Sequence, residues 1–209
     1  TMGKFLATVT PDLDAGAATG SAYSDNDILF TWTKFDIPVG GAELASITAT
    51  WAGTNGADGN HHNIGLYFAR AINGVAPTSF GTIHAAPAAS NTAAFRRNII
   101  DFHQIVDGSM RDSDHLVTFN VMGDPGGNRN YGAPRTIFQA DDTPFPGDGT
   151  YSATPQGYQS FWVAGIAHGA FDFGTNVLLN QGSNQAASTA EVTLTLDGSG
   201  DPRKSSQPG

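Results

Sequence analysis

Ile28-Leu29-Phe30-Thr31-Trp32-Thr33-Lys34-Phe35 alternates as a β-strand does. Successive side chains of a strand point to opposite faces. Ile28, Phe30 and Trp32 therefore share one face, while Thr31, Thr33 and then Phe35 share the other. Ile37-Pro38-Val39-Gly40-Gly41 breaks the run with residues that interrupt a ladder. The period of two returns at 44–51, with Ile47, Ala49 and Trp51 on one face, and at 64–70, with Ile64, Leu66 and Phe68 inward. It returns again at 116–122, where Val117, Phe119 and Val121 alternate with Thr118 and Asn120. Residues 160–167 are a strong strand, with 170–179 as the expected partner across His168-Gly169. A short strand is expected at 135–140 and a last one at 190–196, with Val192, Leu194 and Leu196 inward.

The segments between these runs are rich in turns. Residues 53–63 hold Asn55-Gly56 and Asp58-Gly59, residues 72–75 hold Asn73-Gly74, and 123–134 and 141–158 are broken repeatedly by Pro and Gly. Residues 77–94 are small and polar and show no period. At 98–106, Ile99, Phe102, His103 and Val106 fit a short amphipathic helix, whereas Ile99, Asp101 and His103 fit a strand poorly. A helical turn is the expectation there.

Composition agrees with the strands. Glu stands only at Glu43 and Glu191, and Lys only at Lys4, Lys34 and Lys204, so the usual residues of exposed helix surfaces are nearly missing. Gly (26), Pro (11), Thr, Ser, Asn and Asp take their place. The expectation is an all-β fold: an antiparallel β-sandwich, jelly-roll-like, with long loops and at most short helices. With no dividing linker, 1–197 reads as one domain, and 198–209 as a tail that is flexible or ordered by a partner.

Charge and cysteine content narrow the function. A net charge of −9 argues against a broad nucleic-acid contact, which needs Lys and Arg facing phosphates. Cys is absent, so there is no disulfide frame, thiolate metal site or Cys nucleophile. No apolar run approaches the roughly 20 residues that span a bilayer, and Thr1-Met2-Gly3-Lys4-Phe5 lacks an apolar signal core. Charged residues at 14% fall well below the average quarter, as in a protein that covers much of itself in an assembly or carries a hydroxyl-rich surface.

Candidate chemistry is sparse. Adjacent His61-His62 in an extended segment point apart and chelate poorly together. Asp107, Asp112 and Asp114 gather in one turn, as do Asp141-Asp142 and Asp25-Asn26-Asp27, yet none has the alternating spacing of a helix-loop-helix calcium site. Asp172 between Phe171 and Phe173 has the most apolar setting of the acids, and reads as an outward strand residue rather than half of a glycosidase pair. Ser109 and Ser183 follow a Gly without the rest of a nucleophile elbow, and no glycine-rich phosphate cradle occurs. No metal, cofactor or catalytic set is therefore expected. Among the aromatics, Trp32, Trp51, Tyr67 and Trp162 sit in strands and are expected to pack. The loop tyrosines Tyr131, Tyr151 and Tyr158 are the candidates for a sugar-stacking platform.

Three stretches resemble virion structural proteins of tailed, particularly marine, bacteriophages. They are Phe35-Asp36-Ile37-Pro38, Ile64-Gly65-Leu66-Tyr67-Phe68-Ala69 and Ile72-Asn73-Gly74-Val75-Ala76-Pro77-Thr78-Ser79-Phe80-Gly81. Phe161-Trp162-Val163-Ala164-Gly165-Ile166-Ala167-His168-Gly169-Ala170, returning through Phe171-Asp172-Phe173, is similar in character. The resemblance implies a β-rich, non-enzymatic protein on the outside of a head or tail, such as a capsid decoration (cement) protein. Its partners would be itself, as a homotrimer, and the major capsid or another virion protein, with no direct nucleic acid and no membrane. The rival reading is a carbohydrate-binding module or receptor-binding fibre domain; a hydrolase ranks third.

Overall fold

A computed structural model describes residues 3–9, 11, 23–38, 42–52, 63–105, 110–112, 117–122, 137–138, 158–170 and 191–200. Ten strands and one short helix follow in the order β1 (Gly3–Val9), β2 (Ile28–Pro38), β3 (Ala42–Ala52), β4 (Asn63–Arg70), α1 (Ala89–Phe95), β5 (Ile99–Ile105), β6 (Met110–Asp112), β7 (Val117–Met122), β8 (Ile137–Phe138), β9 (Tyr158–His168) and β10 (Glu191–Gly200). Among the described residues every ladder between strands is antiparallel. Among the described residues the chain is all-β with one short helix, consistent with the expected class.

The strands divide into a sheet of order β1-β10-β3-β7-β6, with β8 also on β3, and a sheet of order β2-β9-β4-β5. Four of the ladders nest: β1 with β10, β2 with β9, β3 with β7, and β4 with β5. Early strands thus pair with late ones, and the innermost pair is joined through α1.

One buried cluster draws on both sheets. Ala7, Val9, Ala42, Leu44, Ile47 and Ala49 come from the first, and Phe30, Phe35, Ile64, Leu66, Phe68, Ile105, Phe161 and Val163 from the second. Ile64, Leu66 and Phe68 are buried on β4 as their spacing requires. Register sets Leu66 beside Gly165 and Phe68 beside Val163, so this face of β4 continues across β9. Gly165 is there because Phe30 is: a Cβ on Gly165 would lie 2.7 Å from Phe30 Cζ and 2.8 Å from Cδ1.

Two departures from strict alternation have the same cause. The β2–β9 register shifts between Ile28 and Phe30 and again between Phe30 and Thr33. Each bulge adds a residue on one strand and exchanges the faces beyond it. Phe30 and Phe35, expected on opposite faces, are consequently both buried in the same cluster. In the second case, 99–105 is a strand rather than the expected helical turn. A bulge between Phe68 and Ala69 leaves Ile100 unpaired, which disrupts the period there. Beyond it, Asp101, His103 and Ile105 alternate with Phe102 and Gln104, and pairing with β4 satisfies the backbone. The helical turns lie upstream at α1, in the stretch that showed no period. Only Phe95 of its described side chains is buried. It ends at Phe95 with Arg96 as its cap, and beyond it Asn98 donates its Nδ2 to the Arg70 carbonyl at 2.9 Å, while the Arg70 N–H donates to the Asn98 carbonyl at 2.9 Å.

Other expectations are refined. β1 and β6 were not legible as strands; β6 takes Met110, Arg111 and Asp112 into a ladder with β7. β9 is the strong strand expected, and from Phe161 to Ile166 its two edges are occupied by β2 and β4. That leaves no open edge there for a hairpin partner, and the 171–179 stretch lies outside the described residues. β10 continues past Asp197, pairing Gly198, Ser199 and Gly200 with Phe5, Lys4 and Gly3. Residues 198–200 therefore belong to the sheet rather than to a tail, and 201–209 lie outside the described residues.

Candidate functional site

The face of the β2-β9-β4-β5 sheet opposite Leu66 and Phe68 carries Tyr67, Ala69, Phe102, Ala164 and Trp162, as cross-strand register dictates. Residues 71–98 return over it. Phe80 lies 4.8 Å from Trp32 and 5.7 Å from Tyr67, and Phe95 lies 5.0 Å from Phe80 and 5.5 Å from Trp32, ring centre to ring centre. These are the offset and edge-on contacts that aromatic quadrupoles favour. Trp162 packs with Ala69 and Ala71, and Trp32 and Ala76 join them. Trp32, Tyr67 and Trp162 thus pack, as their strand positions suggest. The Phe80–Phe95 layer had no periodic signal, because it belongs to a connection rather than to a strand.

Asp25-Asn26-Asp27 is a structural clasp. Asp27 Oδ2 accepts the Ser24 N–H at 2.7 Å. Asp25 Oδ1 accepts the Gly169 N–H at 2.7 Å, and its Oδ2 accepts Asn26 Nδ2 at 3.0 Å. Asn26 sits in the left-handed region at φ 70°, which Asn tolerates, and donates its N–H to the Ala167 carbonyl at 2.8 Å. Ala167 returns its own N–H to the Asp27 carbonyl at 2.8 Å. Residues 84–85 close the other side: His84 N–H donates to Ile28 O, and Ile28 N–H to Ala85 O. His84 stacks on Tyr23 at 4.0 Å with 5° between planes. Both oxygens of Asp25 serve protein donors, so the clasp fastens the start of β2 to the end of β9. Asp27→Ala removes the acceptor of the part-buried Ser24 N–H bond and is expected to cost about 1–2 kcal/mol. Urea unfolding followed by tryptophan fluorescence measures this.

A second polar group lies at the far end of β2 and β9. Ser160 Oγ donates to Asp36 Oδ1 at 2.5 Å, and Lys34 Nζ stands 3.4 Å from the same oxygen. Register places Lys34 opposite Trp162, Asp36 opposite Ser160, and Pro38 opposite Tyr158. Tyr158 is 45% exposed, the one member of the tyrosine trio among the described residues. Tyr131 and Tyr151 lie outside them, as do His61, His62, Asp107, Asp114, Asp141, Asp142, Asp172, Ser109 and Ser183.

On β5, His103 Nε2 lies 3.4 Å from Asp101 Oδ2, and its ring meets Phe68 edge-on. Asp101 Oδ1 accepts the N–H of Phe102 at 2.7 Å. Phe102 packs on Tyr67 at 4.8 Å and on His168 at 5.9 Å. Sequence reading passed over this group because it assigned the segment to a helix. Among the described residues, no set of three His, Asp or Glu side chains converges as metal ligands, and no helix is long and apolar enough to cross a membrane. No protein-family model matches the chain, and no curated protein matches it.

Proposed function

We propose that the chain is a non-enzymatic virion structural protein that decorates or cements a capsid as a homotrimer, on a jelly-roll sandwich. The observation that carries the reading is the nesting of β1–β10, β2–β9, β3–β7 and β4–β5, with sheet orders β1-β10-β3-β7 and β2-β9-β4-β5. A hairpin ribbon rolled into two facing sheets produces that order, and the double-sheet jelly roll serves viral capsid and lectin domains. The buried cluster shared by the two sheets supports the sandwich. The low charge content and the phage-like stretches support the virion role. In this reading the loops at 53–63, 123–134 and 141–158 and the residues after Gly200 supply the contacts, since loops on a rigid scaffold commonly bind.

The second reading, a carbohydrate-binding or receptor-binding domain, draws on the same fold and on exposed Tyr158 beside Lys34, Asp36 and Ser160. Light scattering on the purified chain separates the two. The decoration reading expects three chain masses and no glycan binding. A monomer that binds a glycan, and loses it on Tyr158→Ala, replaces decoration with sugar recognition.

A further inference from the structure

We propose that the open edge of β5 pairs with β5 of a second copy of this chain, antiparallel about a twofold axis at Phe102. Among the described residues β5 ladders only with β4 and ends its sheet. In an antiparallel ladder, alternate residues turn both N–H and C=O toward the same neighbour. The Phe102 N–H turns to its own Asp101 carboxylate, which assigns Phe102 and, two residues on in the regular part of the strand, Gln104 to the outward set. Natural edge strands are blunted by Lys, Pro, bulges or inward-pointing charges. β5 has its bulge at Ile100 and the inward Asp101 at one end, but from Phe102 to Ile105 it carries no Lys or Pro, and Phe102 is 39% exposed.

The sequence of this edge is complementary to itself about one residue. Antiparallel pairing centred on Phe102 sets the two Phe102 rings across the axis and Asp101 of each copy opposite His103 of the other. It also brings Gln104 against the other copy's bulged residue, Ile100. Centring on Asp101 or His103 would oppose like residues, and centring between residues loses the acid–imidazole match. Cross-strand aromatic and hydrogen-bonding pairs stabilise a ladder, and a carboxylate opposite an imidazole N–H is such a pair. In the single chain, Asp101 occupies the Phe102 N–H and stands 3.4 Å from its own His103. On pairing, that N–H passes to the carbonyl of the other copy's Phe102, and the carboxylate faces the other copy's imidazole.

The absence of Cys makes this directly measurable. Two Phe102 Cα atoms in a hydrogen-bonded pair would lie about 5.5 Å apart, within the roughly 4.4–6.8 Å a disulfide spans. Under mild oxidation the full chain carrying Phe102→Cys is expected to form a covalent dimer on the order of tenfold faster or more than Thr78→Cys, an exposed control, because pairing raises the local thiol concentration. Adding Gln104→Pro removes an outward N–H without touching the β4 ladder, so cross-linking should fall to the control rate with the circular dichroism spectrum unchanged. Phe102→Cys reacting no faster than Thr78→Cys, or no slower with Gln104→Pro, overturns the proposal. The test uses no capsid, and a twofold contact does not build a trimer. Its failure therefore leaves the decoration reading standing, and the reverse also holds.

Discussion

Gly165→Ala is expected to lower stability by about 3 kcal/mol, at the upper end of what overpacking costs. The added methyl would stand 2.7 Å from Phe30 Cζ and closer still to Cε1. Phe30 is 1% exposed, and Gly165 lies on a strand whose neighbours on both sides are occupied by β2 and β4. Neither ring nor backbone has room to withdraw. Gly65→Ala is the informative comparison. Its methyl would meet His168 Nε2 at 2.5 Å and Phe102 Cε2 at 2.6 Å, contacts that look as severe. Those side chains are only partly buried or exposed and can rotate toward solvent, so the expected cost is about 1 kcal/mol. Equal urea midpoints for the two variants would show that the Phe30–Gly165 contact does not set the sheet's packing.

Phe80→Ala should be at least as damaging, at about 3–5 kcal/mol, the range for deleting a buried phenyl ring. Phe80 touches Trp32, Tyr67 and Phe95 and holds residues 71–98 onto the sheet. Its loss removes the ring around which the others pack, and exposes apolar surface that a soluble sheet ordinarily covers. Trp32 emission should shift to the red before global unfolding. Combining Phe80→Ala with Phe95→Ala should cost less than the two losses added, because the rings lie 5.0 Å apart and share partners. Strict additivity would mean that the two rings act separately and that the aromatic layer is not one unit.

These residues also mark how far the sequence could be read. β4 was legible in full: Ile64, Leu66 and Phe68 keep an unbroken period of two and are all buried. β9 was legible as a strand, though not as the centre of a sheet, since an apolar run does not name its neighbours. Bulges hid more. On β2 they bring Phe30 and Phe35 into one cluster against the alternation, and on β5 a bulge at Ile100 made a strand resemble a helical turn. β1 and β6 were missed: Gly3–Val9 shows weak alternation, and Met110–Asp112 sits within a run of turn-forming acids and Gly. Both gain their identity from partners distant in sequence, β10 for one and β7 for the other. Of the candidate site residues, Tyr158 is exposed but opens strand β9, paired with Pro38, rather than lying in a loop as the sequence suggested. The role of the Asp25–Asp27 turn was not legible, because composition does not say which backbone N–H groups its carboxylates accept.

The decoration reading rests on assembly, so imaging the assembly tests it most directly. Purified chain would be mixed with capsids assembled without it, washed, and examined by cryo-electron microscopy. The expected result is ordered density on the outer surface in threefold clusters, each lobe fitted by two facing sheets of order β1-β10-β3-β7 and β2-β9-β4-β5. Capsids that remain bare at saturating protein, with the chain monomeric in the supernatant, would contradict it.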